Sequence, residues 1–365
     1  MPSASLWWRS LESSVARGRS RTRVVNKSRA RTRAGLIAFV AAAAAVVAVL
    51  LLKGEGDEPR AVTSCNGHGE LCDRPLNRVA FAATHNSMSA RSSPGWRFAQ
   101  QEEGIPSQLA AGIRGLLVDA YYGYPGRHVF TEVDPDSPIR KRAVADLGPD
   151  AVAAADRIRA GISRPKGSER RIYLCHGFCE LGATDLDQTF KQIDSFLDEN
   201  RNEVLLLVIE DYVEPRDLVE EFKRSGLEEH VYKGSVGPPW PTLREMIADD
   251  ERVLVMAENK RGGADWYHPA FELMQETPYT FKRPSQMSCG PNRGEAASSL
   301  FLVNHWIDTS PLPSASIAKV VNAYGFLLGR ARACERERQF PNLLAVDFYQ
   351  QGDIQRVVDR LNGVN

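Results

Sequence analysis

Two histidines at the ends of short apolar segments are the residues of this sequence best suited to chemistry. His85 follows the segment 79–84, and His176 follows the segment 171–175. A histidine just beyond the end of a strand points out of the sheet, where it can meet a substrate. Two such histidines on different strands could face one substrate, one accepting a proton and the other donating it. This arrangement suits cleavage of a phosphodiester by an internal hydroxyl group.

Seven segments rich in Val, Leu and Ile alternate with longer amphipathic segments over residues 65–365. Continuous apolar runs are typical of strands buried on both faces, and their alternation with helices indicates a parallel sheet. We therefore expect an α/β fold of the (β/α)8 TIM-barrel type, parallel and distorted, with a poorly marked eighth strand near residues 279–281. The predicted strands are 79–84, 115–119, 171–175, 204–210, 253–257, 300–304 and 343–348.

The clearest predicted helix covers residues 186–197. Thr184 is placed to cap its first turn. The apolar residues Leu186, Phe190, Ile193 and Leu197 would fall on one face, as in an amphipathic helix packed against a sheet.

Ionisable or amide side chains follow nearly every predicted strand. In a parallel barrel, functional side chains gather at the carboxyl ends of the strands. Helix caps or buried ion pairs explain one or two such residues but explain the whole series badly. The series is His85, Asn86, Asp119, His176, Glu210, Asp211, Glu258, Lys260, Asn304, His305 and Asp347.

Four short sequence motifs, and their order along the chain, resemble the X domain of phosphatidylinositol-specific phospholipase C. The segments 65–72 and 341–349 are similar to parts of secreted phospholipase-C-like phosphodiesterases. The resemblance covers about residues 65–363 and implies a distorted TIM barrel that cleaves phosphodiesters by general acid–base catalysis. The motifs are Thr-His-Asn-Ser-Met at 84–88, Gly-Ile-Arg-Gly-Leu-Leu-Val-Asp at 112–119, Leu-Cys-His-Gly at 174–177 and Leu-Leu-Val-Ile-Glu-Asp at 206–211.

The resemblance also implies roles for the residues that match these motifs. His85 would deprotonate the hydroxyl next to the phosphate or steady the phosphoryl oxygens, and His176 would protonate the leaving alkoxide. Asn86, Asp119 and Glu210 match the metal ligands of the calcium-dependent branch, and their oxygens suit Ca²⁺ or Mg²⁺.

The sequence departs from both known branches of the family. Leu117 stands where the calcium-dependent branch has a glutamate, and Asp119 stands where the metal-free branch has an arginine. One bound Ca²⁺ or Mg²⁺ and a metal-free mechanism therefore both stay open.

Four further residues are candidates for contacts with the phosphate or the rest of the substrate. Arg114 could reach the phosphate or form a structural ion pair, and Lys260 could contact the phosphate beyond the strand 253–257. His305 and Trp306 follow the strand 300–304 and could line the pocket, although a tryptophan after a strand is more often a packing residue.

The N-terminal 52 residues combine a basic segment with an apolar one. Residues 1–33 contain nine Arg or Lys residues and one acid, Glu12, so their net charge is +8 and that of the remaining chain is −8. Residues 34–52 are apolar and uncharged, and as a helix they would span about 28 Å, close to the hydrocarbon thickness of a bilayer. We predict a disordered cytoplasmic tail (1–33), a transmembrane helix (34–52), a stalk (53–64) and an extracytoplasmic barrel (65–365).

Two alternatives concern the same N-terminal region. A cleaved signal peptide would make the protein secreted, although no small-residue cleavage motif follows the apolar run. Arginine-rich segments also bind nucleic acid. Here Ser and Thr separate the arginines, and an apolar run follows them. We therefore favour a basic tail that sets the membrane topology, and we expect no nucleic-acid partner. Oligomeric state cannot be inferred from these features.

All six cysteines follow the apolar run. An even number of cysteines in an exported region predicts disulfides. A zinc site formed by Cys175, His176 and Cys179 is an alternative, but its spacing is unusual for zinc. Among the fifteen possible pairings we favour Cys65–Cys72, Cys175–Cys179 and Cys289–Cys334.

These inferences predict a membrane-anchored extracytoplasmic phosphodiesterase that cleaves a phospholipid, with phosphatidylinositol a candidate, by two-histidine acid–base catalysis. A glycerophosphodiester or a sphingolipid is an alternative substrate. A catalytically degenerate barrel that serves as a cell-surface binding module is an alternative of a different class, and Leu117 is the residue that favours it.

Overall fold

Eight short parallel strands, numbered along the chain, form one curled sheet. A computed structural model of the protein describes residues 62–132, 137–162, 164, 166–309 and 312–364. In order across the sheet, the strands are β8 (His268–Pro269), β7 (Val253–Ala257), β6 (Leu205–Asp211), β2 (Gly115–Tyr124), β1 (Phe81–Thr84), β11 (Leu343–Val346), β10 (Leu300–His305) and β9 (Met274–Glu276).

The prediction of a parallel α/β sheet is confirmed, whereas the closed barrel is not. Hydrogen-bonded neighbours connect the strands from β8 to β9, but among the described residues no ladder joins β8 and β9 to each other. The eighth strand was expected near residues 279–281, which lie outside any strand. The parallel strands not predicted from the sequence are β8 and β9, which form the two ends of the strand order. They are too short to produce a recognisable apolar run.

One predicted strand runs in the opposite direction to the others. Residues 115–120 of β2 pair with β6 in parallel, and residues 120–123 continue beyond it and pair antiparallel with β4 (Arg171–Leu174). Two short strands, β3 (Phe130–Thr131) and β5 (Thr184–Asp185), complete this extension by pairing with β2 and β4. The carboxyl end of β4 therefore points toward the middle of β2.

The helix predicted over 186–197 is observed over Leu186–Glu199, and the four apolar residues expected on one face are buried. Its N-cap is Asp185, whose side chain accepts a hydrogen bond from the N–H of Gln188 at 3.0 Å. Thr184, the expected cap, instead accepts a hydrogen bond from the indole of Trp96 at 3.1 Å. The helices are α1 (Ile105–Ala110), α2 (Pro138–Leu147), α3 (Pro149–Ala160), α4 (Leu186–Glu199), α5 (Pro215–Ser225), α6 (Leu243–Ala248), α7 (Ala270–Leu273), α8 (Ala315–Val321), α9 (Tyr324–Glu337) and α10 (Ile354–Asn362), with 3₁₀ turns at Gly69–Leu71, Leu76–Arg78, Cys179–Leu181, Leu227–His230, Pro284–Gln286 and Tyr349–Gln351.

Strand β6 shows why the strands of this sheet are almost wholly apolar. Leu205, Leu207 and Ile209 pack in a core with the helices on one side of the sheet. Leu206 and Val208 point the other way, into a second core that the strands form together with helices α6 and α7 and the segment 65–76. Successive residues of a strand face opposite sides, so both sets are buried, at about 1.5–3 kcal/mol of stabilisation for each large side chain.

The described part of the chain contains three disulfides, in the pairs favoured from the sequence. Cysteines joined in disulfides cannot serve as thiolate ligands, so the zinc alternative is excluded. The pairs are Cys65–Cys72, Cys175–Cys179 and Cys289–Cys334.

The predicted tail, transmembrane helix and most of the predicted stalk lie outside the described residues. Within the described ranges, no helix is both long enough and apolar enough to cross a bilayer. The membrane anchor and its topology therefore stay predictions.

Candidate active site

An open cavity lies at the carboxyl ends of the parallel strands, and its volume is about 1030 Å³ when the space open to solvent is included. It brings together residues that are distant in sequence because neighbouring parallel strands end at the same edge of the sheet. Glu258, Asn304 and Asp347, which end other predicted strands, also line it. The residues singled out from the sequence that line it are His85, Asn86, Asp119, His176, Glu210 and Trp306.

His85 and Asp347 form a hydrogen-bonded pair in this cavity. Nδ1 of His85 lies 2.8 Å from Oδ1 of Asp347. Burial raises the pKa of the Asp347 carboxyl, and the neighbouring His85 opposes that rise. When the Asp347 carboxyl is ionised it can only accept a hydrogen bond, so Nδ1 then carries the proton and Nε2 keeps its lone pair. The pair therefore selects the tautomer that a general base requires.

The turn after β1 holds His85 in place. Asn86 has a left-handed backbone conformation (φ 46°), which asparagine adopts more readily than most residues. Its side-chain Nδ2 lies 3.1 Å from Nε2 of His85. The side chain of Gln101 donates hydrogen bonds to the carbonyls of His85 and Val346, at 2.8 and 3.0 Å, and so ties the end of β1 to the end of β11.

His176 reaches the same cavity from the antiparallel strand β4. The backbone N–H of Cys175 donates to the carbonyl of Asp119 at 3.1 Å, which fixes the strand end beside the middle of β2. The Cys175–Cys179 disulfide then closes a short loop around His176. Gly177 has a positive φ of 74° within that loop, a conformation that glycine adopts without strain. His176 therefore lies in the predicted cavity, but the strand that precedes it is antiparallel and not, as predicted, one of the parallel strands.

The imidazole of His176 is neutral at neutral pH. Burial is the largest cause that lowers its pKa, to about 3, and His85 (when it is protonated) and Arg142 act in the same direction. Asp308 opposes them. An incoming phosphate anion would raise this pKa, because it stabilises the charged imidazolium.

Arg142 of helix α2 places a positive charge in the cavity. Its Nη2 donates a hydrogen bond to Oη of Tyr279 at 3.0 Å and lies 3.6 Å from Oε1 of Glu210. Glu210 also accepts a hydrogen bond from the hydroxyl of Tyr212. Arg142 was not predicted, because it lies in a helix inserted between β3 and β4 and no strand-end pattern marks it. A guanidinium in this place suits recognition of a phosphate.

Arg293 was also missed, and it lies where carboxylates from two strands meet. It donates hydrogen bonds to Oε1 of Glu276 at 2.5 Å and to Oε2 of Glu258 at 2.6 Å. Burial raises the pKa of Glu258 to about 8, as do Glu210 and Glu276, while Arg293 opposes the rise. In the sequence, the feature that could have drawn attention to Arg293 is the glycine that follows it, Gly294.

Gly294 keeps the loop of Arg293 against strand β9. Its φ is 81°, and a Cβ at this position would lie 2.1 Å from the carbonyl oxygen of Met274. Any other residue would push the loop, and with it the Arg293 guanidinium, away from the cavity.

The predicted metal ligands, Asn86, Asp119 and Glu210, all line the cavity. In the described ranges, no group of three or more His, Cys, Asp or Glu side chains could hold a metal ion. Glu210 faces Arg142 and Tyr212, and the amide of Asn86 faces His85. Asp119 lies beside Glu210 in the strand register. Glu210 and Asn86 thus already have partners in the cavity, and a bound Ca²⁺ or Mg²⁺ at Asn86, Asp119 and Glu210 stays a prediction.

Two predicted phosphate contacts lie away from the cavity. Arg114 precedes β2 and is therefore at the opposite end of the sheet, where its Nε donates to Glu203 at 2.7 Å. Arg114 thus forms the structural ion pair that was the alternative to a phosphate contact. Lys260 lies beyond the end of β7 on the exterior, and its Nζ donates to Glu214 at 2.7 Å.

His305 also does not line this cavity. Its side chain is fully buried on the helix side of β10, because it alternates with Asn304, which faces the cavity. Its Nε2 lies 2.9 Å from the carbonyl oxygen of Val321, and its Nδ1 lies 3.1 Å from Nη1 of Arg330.

The sequence matches a family model. The model described as PI-PLC X 1 matches residues 158–362, more than half of the chain. His176, Glu210 and Asp347 lie within the matched residues, whereas His85 precedes them.

Two curated relatives share the same domain name. A PI-PLC X domain-containing protein of Arabidopsis thaliana is 26% identical over 319 residues, which cover 79% of this chain and 63% of that protein. This chain thus spans less than two thirds of the length of the Arabidopsis relative. PI-PLC X domain-containing protein 1 of Arthroderma benhamiae is 24% identical over 321 residues, which cover 82% of this chain and 90% of that protein.

A solved structure is also similar to this chain. Phosphatidylinositol-specific phospholipase C of Staphylococcus aureus aligns with 80% of this chain and 95% of its own, with a TM-score of 0.47 and 10% identity.

Proposed function

The chain belongs to the PI-PLC X family, and from that membership we propose that it cleaves a phosphodiester bond of a phospholipid, with phosphatidylinositol as the first candidate. One observation carries the proposal: a histidine oriented by a carboxylate, His85, and a neutral histidine, His176, line the same cavity. His85 has the surroundings that a general base needs, and His176 can serve as the general acid once it has bound a proton.

The reaction begins with proton transfer to His85. Nε2 accepts the proton of a substrate hydroxyl next to the phosphate, and the hydroxyl oxygen forms a new bond to phosphorus. The bond from phosphorus to the leaving oxygen breaks, and that oxygen takes a proton from His176. Asp347 stabilises the imidazolium that forms on His85. His176 starts neutral, so it must first be protonated as the substrate's phosphate enters.

The guanidinium of Arg142 is the group we assign to the phosphate. It reaches the cavity from α2, and two residues that it contacts, Tyr279 and Glu210, line the same cavity. Its positive charge would offset the negative charge that develops on the phosphoryl oxygens. We propose that this organic cation, and not a bound metal ion, supplies that charge.

The floor of the cavity suits a head group with several hydroxyls. Arg293 supplies donors, and Glu258 and Glu276 supply acceptors. The amide of Asn304 donates to Oε2 of Glu276 at 2.9 Å. Closely spaced donors and acceptors of this kind favour a polyol over an apolar or purely cationic group.

Anchoring belongs to the proposal as well. If residues 34–52 span a membrane, the catalytic unit is extracytoplasmic and stays close to a lipid surface, which raises the local concentration of substrate. Epitope accessibility on intact cells, with tags at each end of the full-length chain, tests this topology.

The experiment that tests the activity uses the full-length protein and vesicles containing head-group-labelled phosphatidylinositol. We expect release of the water-soluble head group, and a loss of at least about 100-fold in the His85→Ala and His176→Ala variants. His68→Ala is the matched control, because His68 lies outside the cavity. Full release by both variants would reject the acid–base assignment.

The same vesicles distinguish the alternatives. Release from vesicles of a sphingolipid or from a glycerophosphodiester, but not from phosphatidylinositol, would change the substrate and keep the enzyme class. Saturable vesicle binding without release from any of them would support a surface binding module.

A further inference from the structure

The indole of Trp306 covers one face of the His85 imidazole. The two ring centroids are 3.7 Å apart, and the ring planes differ by 2°. Trp306 is 8% exposed, and the ring of Tyr279 lies 6.3 Å away at an angle of 24°. The sequence suggested that Trp306 contacts the substrate, but its face is packed against the histidine.

The network behind Trp306 keeps it in this place. The preceding residue, His305, is held between the carbonyl of Val321 and the guanidinium of Arg330. Arg330 also donates a hydrogen bond to the carbonyl of Asn304 at 2.7 Å. The backbone that leads into Trp306 is therefore anchored at two successive residues.

The stack adds a restraint on His85 to those of its two polar contacts. The final side-chain torsion of a histidine has a broad energy minimum, so the ring can tilt about it. Asp347 and Asn86 each contact one ring nitrogen and oppose large rotations about this torsion, whereas a flat contact over the whole face also limits small tilts. Together they leave one ring orientation, with Nε2 toward the cavity.

We propose that Trp306 is a positioning residue that fixes the plane of the His85 imidazole for proton transfer. The kinetic consequence rests on the proposed function, but the stack can be measured without any substrate. Trp306 acts through His85, so its removal should affect the rate of the chemical step more than the binding of substrate.

Nuclear magnetic resonance of the full-length protein with ¹³C-labelled histidine tests the stack directly. Protons over the face of an indole are shielded, so the Hε1 signal of His85, assigned with His85→Gln, should lie upfield of the other histidine signals. The shift should persist in Trp306→Phe, which keeps a ring, and disappear in Trp306→Leu. An unshifted His85 signal in the unmodified protein would overturn the proposal, even if Trp306→Leu failed to fold.

Kinetics with the phospholipid substrate test the consequence. Trp306→Leu should lower kcat by roughly 10- to 100-fold with little change in KM. Trp306→Phe should retain most of the rate. A rise in KM at constant kcat would show instead that Trp306 binds the substrate, and would overturn the proposal.

Trp266→Leu is the matched control, because Trp266 is equally buried but packs against Phe222 outside the cavity. It should lower stability without moving the His85 signal or kcat. If the protein cleaves no phosphodiester, the proposed function fails while the His85 signal still decides whether the stack exists.

Discussion

Asp347 and His85 follow two neighbouring parallel strands, β11 and β1, and meet through a 2.8 Å contact between Oδ1 and Nδ1. The pairing of Val346 with Thr84 in the strand register places the two residues at the same level. A second pair, His68 and Asp359, lies outside the cavity with a 3.5 Å separation between Nε2 and Oδ1.

Replacing Asp347 by Asn should lower kcat by roughly 100-fold or more without unfolding the protein. The amide can donate to Nδ1, which would favour the tautomer whose Nε2 carries a proton and cannot act as a base. The measurement is kcat on the phospholipid substrate, with circular dichroism as a test of folding. The matched control Asp359→Asn alters the pair outside the cavity and should leave kcat unchanged. A similar loss in both variants would contradict a specific role for Asp347.

Removing the Cys175–Cys179 disulfide should impair catalysis through His176. The double variant Cys175→Ser, Cys179→Ser opens the short loop around His176, so its ring would no longer be held at one position. We expect kcat to fall by about tenfold, since misplacement of a catalytic group lowers the rate even when the fold survives. The control Cys65→Ser, Cys72→Ser removes a disulfide outside the cavity and should leave kcat unchanged. Equal kcat in the first variant and the unmodified protein would show that the loop holds His176 without the disulfide.

Two histidines with lowered pKa values, His176 and His305, should make the fold less stable in acid. Burial is the main cause that lowers the pKa values of His176 and His305 to about 3, from 6.5 in the unfolded chain. Between these values the unfolded chain binds more protons than the folded one, so stability falls as the pH falls from 6.5 toward 3. One such group contributes a slope of at most about 1.4 kcal/mol per pH unit.

His176→Gln should therefore flatten this dependence. Urea unfolding of the full-length protein between pH 4 and pH 6.5 (a window chosen from roughly those two pKa values) measures the slope. His128→Gln, a change in a loop outside the cavity, is the control and should keep the original slope. The prediction fails if His176→Gln and the unmodified protein show the same slope.

The longer strands could be predicted from the sequence because burial on both faces leaves a continuous apolar run. Strand β6 is the clearest example, with its leucines shared between two cores. An apolar run carries no information about strand direction, so the antiparallel course of β4 could not be predicted. Strands β8 and β9 have only two and three residues and leave no pattern.

The expectation that functional side chains follow the carboxyl ends of strands predicted the residues of the cavity better than it predicted the substrate contacts. It placed His85 and Glu210 correctly because each follows or ends a strand at the cavity edge. It failed for His305 because the side chains alternate, and Asn304 is the residue that faces inward. Arg142 and Arg293 come from a helix and a loop, whose positions depend on tertiary packing that periodicity does not encode.

Removal of metal ions should leave the activity intact. Glu210 faces Arg142, and within the described residues no group of three or more His, Cys, Asp or Glu side chains could hold an ion. After treatment with EDTA, head-group release should be the same with and without added CaCl₂, and Ca²⁺ should not raise the midpoint of thermal unfolding. Loss of activity in EDTA with recovery in CaCl₂ would instead support the calcium site predicted at Asn86, Asp119 and Glu210. Such recovery should then be absent in Asp119→Ala.

Arg142→Gln tests the cation that takes the place of the metal in this proposal. Arg142 lies in the cavity with contacts to Glu210 and Tyr279, so its loss removes the charge assigned to the phosphate. We expect kcat/KM to fall by at least about tenfold, since a hydrogen bond between charged groups is worth about 1.5–3 kcal/mol.

Arg142→Lys should recover part of this loss, because lysine keeps the charge but not the planar pair of donors. The matched control is Arg140→Gln on the same helix, because Arg140 pairs with Asp156 at 2.6 Å and does not line the cavity. The two helix variants separate the charge in the cavity from the stability of α2. If Arg140→Gln lowers kcat/KM as much as Arg142→Gln does, the effect comes from the helix, and the phosphate must be held by other groups.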